Sequence, residues 1–258
     1  MLLAVLAGGT PVAAQTAAPV PASTAPRPGV RLFSDSVFHM GIAHLASPSE
    51  AFVWEGNFGG RIDFLDWGRG RGTFVANYQV VMGEEFKAFD PNQGNYTLEL
   101  SGSTRFGGNE LAGVFHHESR HLSDRFKMLP VDWNMVGARL TRTATAGALS
   151  FEAEGQALKV VQRSLVDYEW EVDGRFRSDV VLRPGIGVLM NLDLRVLGVD
   201  GTRDRATQTG VRAESGVRFD GEKGALELFF AGERRIDPLL FQAGTMNLAM
   251  VGFRLLSR

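Results

Sequence analysis

Apolar and polar positions alternate with a period of two along most of the chain after about residue 30. Within residues 185–197 every even-numbered position is apolar, whereas Asn191, Asp193 and Arg195 are polar. Neighbouring side chains of a β-strand point to opposite faces, so this alternation is typical of strands with one apolar face. Segments of this kind are separated by turn residues, and almost no helical period of 3.6 residues is present. The pattern predicts an antiparallel all-β fold. Similar apolar rows are Phe52, Trp54, Phe58, Ile62 and Phe64; Phe74, Ala76, Tyr78, Val80 and Met82; Tyr168, Trp170, Val172 and Phe176; and Val211, Ala213, Val217 and Phe219.

A soluble sandwich of two antiparallel sheets would show the same alternation, so two further observations are needed. First, the polar faces carry charges of both signs, as the lumen of a barrel does, while the opposite faces are aromatic and aliphatic. Second, short and long connections alternate. The short ones lie near Trp67, Phe106, Thr143, Leu182 and Asp220, and the long ones are GEEFKAFDPNQGN, SRHLSDRFKMLPVD, KVVQRSLVD, VLGVDGTRDRATQ and ERRIDPLLFQAG. This rhythm predicts a transmembrane β-barrel with short periplasmic turns and long external loops.

The number of strands follows from the same rhythm. Eleven strands can be counted after about residue 50, and the rhythm places the C-terminus on the side of the short turns. Bacterial barrels of one chain have an even number of strands, so one more is expected within Val30 to Ala43. We therefore predict twelve strands, with ten as the alternative, and the final segment NLAMVGFRLLSR as the closing strand.

The first residues predict export. MLLAVLAGGTPVAAQ has a short apolar region followed by small residues, so residues 1–14 are expected to be a signal peptide cleaved after Ala14. Residues 15–29 are rich in Ala and Pro and are expected to form a tether, and residues 30–258 the barrel. We therefore expect the protein in the outer membrane of a Gram-negative envelope.

Composition excludes several classes of function. The chain contains 27 basic and 29 acidic residues, so no strong field of one sign would attract a nucleic acid. It contains no cysteine, which excludes disulfides, thiolate nucleophiles and cysteine-based metal sites. The expected partners are outer-membrane lipids and lipopolysaccharide, and the sequence does not define the oligomeric state.

The stretch from Asn109 to Asn134 holds three of the five histidines and is the best candidate for chemistry. As a helix, HESRH would match the H-E-x-x-H pattern of zinc hydrolases. A bridging metal site of His117, His121 and Asp124 is a further alternative. As a strand, it places Leu111, Phe115, His117 and Ser119 on one face, and Glu110, Ala112, Val114, His116 and Glu118 on the other. The rhythm of the turns favours the strand, with His117 and Ser119 facing lipid near its external end, and Asn134 of the next strand on the same outer surface.

These residues resemble known outer-membrane proteins. His117-x-Ser119 followed by Trp133-Asn134 resembles the His-x-Ser and Trp-Asn pattern of outer-membrane phospholipase A, a twelve-stranded barrel. His-x-Ser on an outward strand is also similar to the lipid A deacylases, which recruit a downstream Glu. In addition, HHESRHLSDR and LASPSEAFVWEGNFGGRIDFLDWG resemble a poorly characterised family of outer-membrane barrels with an HLSSHLGDE-like motif.

The resemblance to the hydrolases implies a role for each residue. Ser119 would attack an ester carbonyl, His117 would take its proton, and Asn134 would orient the imidazole. The spacing departs from the pattern, because Asn134 lies fifteen residues after Ser119. A similarity to the phospholipase also leaves a calcium cofactor open.

The first interpretation of the sequence is nevertheless a structural or binding barrel without catalysis, and the lipid acyl hydrolase is its alternative. The structural barrel's external rim of His, Ser and Arg would bind lipopolysaccharide phosphates or pair with loop carboxylates such as Asp124. That barrel would need no cofactor.

Overall fold

The protein is an antiparallel barrel of twelve strands, seen in a computed structural model that describes residues 29–123 and 131–257. The predicted signal peptide and nearly all of the predicted tether lie outside the described residues. The strands are β1 (Arg31–Ala46), β2 (Trp54–Asp66), β3 (Arg71–Gly83), β4 (Asp90–Phe106), β5 (Asn109–Leu122), β6 (Val131–Ala146), β7 (Leu149–Ser164), β8 (Tyr168–Arg183), β9 (Ile186–Val199), β10 (Gln208–Asp220), β11 (Gly224–Ile236) and β12 (Thr245–Ser257).

Each strand pairs with its neighbours in sequence, and β1 pairs with β12 to close the barrel. Closure leaves no strand edge unpaired, which is the condition for a sheet in a membrane. The prediction of twelve strands is confirmed, and the alternative of ten is wrong. The additional strand is β1, which begins within the segment where it was expected.

The turns follow the predicted rhythm at one end of the barrel. β4 and β5 are joined by Gly107 and Gly108 alone, both with positive φ (53° and 79°), as a two-residue hairpin turn requires. At the other end, most connections are longer. All five predicted long loops are shorter than expected, because neighbouring strands continue into them. The shortest of them follows β7, which continues to Ser164 and leaves only residues 165–167 before β8.

The two faces of the barrel wall differ in polarity. The outer surface exposes large apolar side chains on every strand, whereas buried charged side chains fill the interior. Arg195, for example, lies 2.8 Å from Glu118, 2.9 Å from Glu171 and 3.1 Å from Asp173. An apolar exterior around a polar interior is the arrangement that a lipid environment requires, and the predicted transmembrane barrel is confirmed.

Two residues of the predicted outward rows point inward. A bulge between Tyr168 and Trp170 turns Tyr168 into the barrel, where it is 1% exposed and donates a hydrogen bond to Asp237 at 2.5 Å. Phe52 precedes β2 and is buried in an apolar cluster with Leu45 and Phe229. Both apolar clusters of the described residues lie inside the wall, and most of their members lie toward the long-loop end.

Among the described residues, no helix has both the length and the apolar character needed to cross a membrane.

Candidate functional site

The face assignment predicted for β5 is confirmed. Leu111 and Phe115 are 42% and 44% exposed on the outer surface, whereas Val114 and Glu118 are each 5% exposed on the inside. His117 and Ser119 share the outward parity of Phe115. They lie near the C-terminal end of β5, which is the long-loop end of the barrel. The two residues therefore belong to the outer face of the wall.

Asn134 is directly opposite His117 in the register of β5 and β6. The His117 Nδ1 atom lies 2.7 Å from Asn134 Oδ1, which is a short hydrogen bond. The period-two pattern predicted that these residues share a surface, and the structure brings them into contact. The fifteen-residue separation from Ser119 is absorbed by the segment between the two strands.

Two further polar residues extend this contact, and the sequence did not predict them. Asn134 Nδ2 donates to Gln162 Oε1 of β7, and Gln162 Nε2 donates to Asp132 Oδ1 at 3.1 Å. Asp132 is in turn the cross-strand partner of Ser119. Gln162 was missed because its segment was predicted to be a loop. We call His117, Asn134, Gln162 and Asp132 the outer polar relay.

The relay fixes the tautomer of His117. The Asp132 carboxylate can only accept, so the Gln162 amide must turn its NH₂ group toward it and its oxygen toward Asn134. The Asn134 NH₂ group then faces Gln162, and its oxygen faces His117. Nδ1 of His117 is therefore a donor, and in the neutral imidazole this leaves the lone pair on Nε2. A neutral imidazole held in this way is equipped to accept a proton at Nε2.

Ser119 lies two positions from His117 on the same face, at a Cα separation of about 7 Å for two residues of a strand. Its cross-strand partners are Tyr96 on β4 and Asp132 on β6. These neighbours leave Ser119 only 8% exposed. The structure thus collects all three predicted catalytic residues on one small area of the outer wall.

The inner face of β5 holds this area in place. His116 lies 3.4 Å from both Glu99 and Glu118, inside the barrel. Arg120 donates to the backbone oxygen of Asp237 at 2.8 Å and lies 5.1 Å over the ring of Trp133. Odd-numbered residues of β5 therefore face lipid, while even-numbered residues anchor the strand.

The zinc interpretation of HESRH is wrong. This segment is β-strand, so His117 and His121 lie about 13 Å apart along it instead of on adjacent turns of a helix. His121 instead packs edge-on against Tyr96, with ring centroids 5.6 Å apart. Asp124, the third residue of the bridging alternative, lies outside the described residues. Within the described ranges no group of three His, Asp or Glu residues is arranged to hold a metal.

Comparison with known proteins identifies the fold. The solved structures that are similar include outer-membrane phospholipase A from Escherichia coli (14% identity, covering 86% of this chain and 92% of that one, TM-score 0.53). The calcium-bound dimer of the Salmonella typhi outer-membrane phospholipase is 12% identical, with 87% of this chain and 91% of that one covered and a TM-score of 0.53. An outer-membrane channel from Pseudomonas putida F1 is 13% identical, with 92% of this chain and 98% of that one covered and a TM-score of 0.55. No protein-family model and no curated protein matches the sequence.

These likenesses establish that the chain has the fold of outer-membrane β-barrels. They do not select an activity, because an enzyme and a channel share that fold to a similar degree.

Proposed function

We propose that this protein is an outer-membrane lipid acyl-ester hydrolase in which Ser119 is the nucleophile, His117 the general base and Asn134 the residue that orients the base. The observation that carries the proposal is the 2.7 Å hydrogen bond between His117 and Asn134 on the outer wall, beside Ser119. A nucleophile, a base and an orienting group on one face are the elements of serine hydrolysis.

The reaction proceeds in two displacements. Ser119 Oγ attacks the ester carbonyl carbon while its proton passes to His117 Nε2, the nitrogen that the outer polar relay leaves unprotonated. The bond to the alcohol then breaks, and the alcohol leaves with that proton. Water attacks the acyl-serine in the same way, releasing the fatty acid and restoring Ser119.

The position of the site suits a lipid substrate. His117 and Ser119 lie near the end of β5 that carries the longer loops, the external end of such barrels, where the esters of membrane lipids meet water. The likeness to two outer-membrane phospholipases agrees with the proposal. The roles of Ser119, His117 and Asn134 are assigned from the His-x-Ser and Trp-Asn motifs of this sequence. Outer-membrane lipids and lipopolysaccharide are thus the proposed partners, in a Gram-negative outer membrane.

Calcium is not assigned a role. The Salmonella enzyme binds it, and calcium takes six to eight oxygen ligands. Asp132, the cross-strand neighbour of Ser119, is a carboxylate that already accepts from Gln162. No group of three His, Asp or Glu side chains in the described ranges is arranged to hold an ion, so no ligand set is assigned to calcium.

A second candidate is a barrel without catalysis whose rim binds lipid. The burial of Ser119 favours it, because a serine residue that is 8% exposed must be uncovered before an ester reaches it.

Fatty-acid release by the refolded protein tests both candidates. The assay compares wild type with Ser119→Ala and with a control, Ser215→Ala, on mixed micelles of phosphatidylethanolamine and on lipopolysaccharide. Ser215 is an outward serine on β10. We expect release by wild type and by Ser215→Ala, and none by Ser119→Ala. Equal release by all three, or none by wild type, overturns the hydrolase. Lipid binding without release would support the second candidate.

A further inference from the structure

A cavity of about 710 Å³ lies in the outer wall across β12, β1, β2, β3 and β4. Its lining surface is almost entirely apolar. Among the polar lining residues, the buried His39 and Asn77 are hydrogen-bonded to each other at 2.9 Å, and Ser257 accepts a hydrogen bond from the Phe38 backbone. We call this cavity the wall groove. It lies on the face of the barrel that contacts lipid.

One edge of the wall groove is a single register row that begins at Ser119. Consecutive cross-strand partners lead from Ser119 across five strands to β12, and every residue after Ser119 lines the groove. The row is Ser119, Tyr96, Tyr78, Phe58, Met40 and Leu255. Its aromatic members are in contact, with ring centroids 4.6 Å apart for Tyr78 and Tyr96 and 5.1 Å for Phe58 and Tyr78.

A parallel row begins at His117. Consecutive cross-strand partners along this row are Leu98, Ala76, Gly60 and Phe38, and all four line the groove. Small residues in the middle of this row create the depth. A methyl group added at Gly60 would come within 2.6 Å of the Phe38 ring, so the groove there depends on glycine. The two rows that bound the groove thus start at the proposed nucleophile and at its base.

The groove runs downward from the site. Ser119 lies near the external end of β5, whereas Leu255 lies near the end of β12 at the short-turn side. Four strand spacings between β4 and β12 give a length of about 19 Å. Part of this length lies along the membrane normal, because the strands of such barrels are tilted by about 35–45°. An extended chain anchored at Ser119 would thus descend into the hydrocarbon layer along the groove.

We infer that the wall groove is the acyl-chain subsite of the proposed hydrolase and that its substrate class is a membrane lipid with a long, unbranched acyl ester. This inference rests on the proposed function. An acyl chain is favoured as the occupant because the groove is apolar and open to lipid, and because Ser119 and His117 are the cross-strand neighbours of two of its lining residues, Tyr96 and Leu98.

Chain-length selectivity tests the subsite. Ala76→Leu fills the floor of the groove, and Ala213→Leu adds the same volume to the wall on β10, outside the groove. We expect Ala76→Leu to lower the ratio of sixteen-carbon to four-carbon ester turnover by about tenfold, the range for lost contacts in an apolar pocket. Ala213→Leu should leave that ratio unchanged. An unchanged ratio in Ala76→Leu overturns the subsite while leaving the hydrolase standing.

A second measurement does not need turnover. The Ser119→Ala variant is placed in micelles that contain a phospholipid with a photoactivatable acyl chain. The sample is irradiated, and the cross-linked peptides are identified. Cross-links concentrated on β2 to β4 of the groove support its occupation by an acyl chain, and this result does not depend on turnover. Cross-links spread evenly around the outer wall overturn it.

Discussion

Gln162 provides the most discriminating test of the outer polar relay, because it touches neither substrate nor base. Gln162→Ala removes its two hydrogen bonds, one from Asn134 and one to Asp132. The Asn134 amide is then free to turn its NH₂ group toward His117. That orientation favours the tautomer protonated on Nε2, which cannot accept the Ser119 proton.

The size of the effect follows from the hydrogen bond that holds the amide. A hydrogen bond of this kind contributes about 0.5–1.5 kcal/mol. Its loss lets the two amide orientations approach equal population and weakens the alignment of the base. Since about 1.4 kcal/mol corresponds to a tenfold change in rate, we expect kcat/KM to fall about three- to tenfold. Asn134→Ala, which removes the direct partner of His117, should cost more.

The assay is fatty-acid release at saturating and limiting lipid, with heat-modifiable mobility on gels as the check of folding. Val161→Ala is the matched control, because Val161 is the outward neighbour on β7 and is 56% exposed. We expect Gln162→Ala to lower kcat with little change in KM. A kcat/KM for Gln162→Ala equal to that of Val161→Ala would refute the assignment of the tautomer through the relay.

Two predictions concern the interior and the external loops. Arg195→Met leaves Glu118, Glu171 and Asp173 without their shared guanidinium. Breaking such buried ion pairs costs about 3–5 kcal/mol, and urea unfolding in detergent should show this loss of stability. An unchanged unfolding midpoint would contradict the ion-pair role. In the loop after β11, burial raises the pKa of Asp237, but hydrogen bonds from Arg205 and Tyr168 outweigh it and hold that pKa below its ordinary value. The stabilisation is therefore complete above the ordinary value near 4 and is lost as the pH falls through the lowered one. Protection of the Gly244 amide, which donates to Asp237 at 2.8 Å, should decrease only in that acid range and should lose this dependence in Asp237→Asn.

The strands and their faces could be predicted because a wall between lipid and a charged lumen imposes a strict alternation. His117 and Ser119 were placed on the outer face by this parity alone. Tyr168 was misplaced because one bulged residue inverts the parity, and the sequence pattern carries no signal for that insertion.

The relay and the wall groove could not be predicted in the same way, because both depend on register. Gln162 meets Asn134 only because a bulge between Asn134 and Met135 shifts the pairing of β6 and β7. The groove requires the alignment of five neighbouring strands. Alternation gives the face of a residue but not its partner across the sheet.

The different roles of the inward and outward side chains of β5 explain how a membrane wall can hold a reactive site. Side chains that face lipid have few polar partners, so a histidine there would normally lack a fixed orientation. Here the inward residues His116, Glu118 and Arg120 fix the strand through ion pairs and a loop contact. Neighbouring strands then supply amide and carboxylate groups at the height of His117. Polar groups on the outer wall can therefore keep a fixed orientation where the interior already holds the backbone, and β5 meets this condition beside the wall groove.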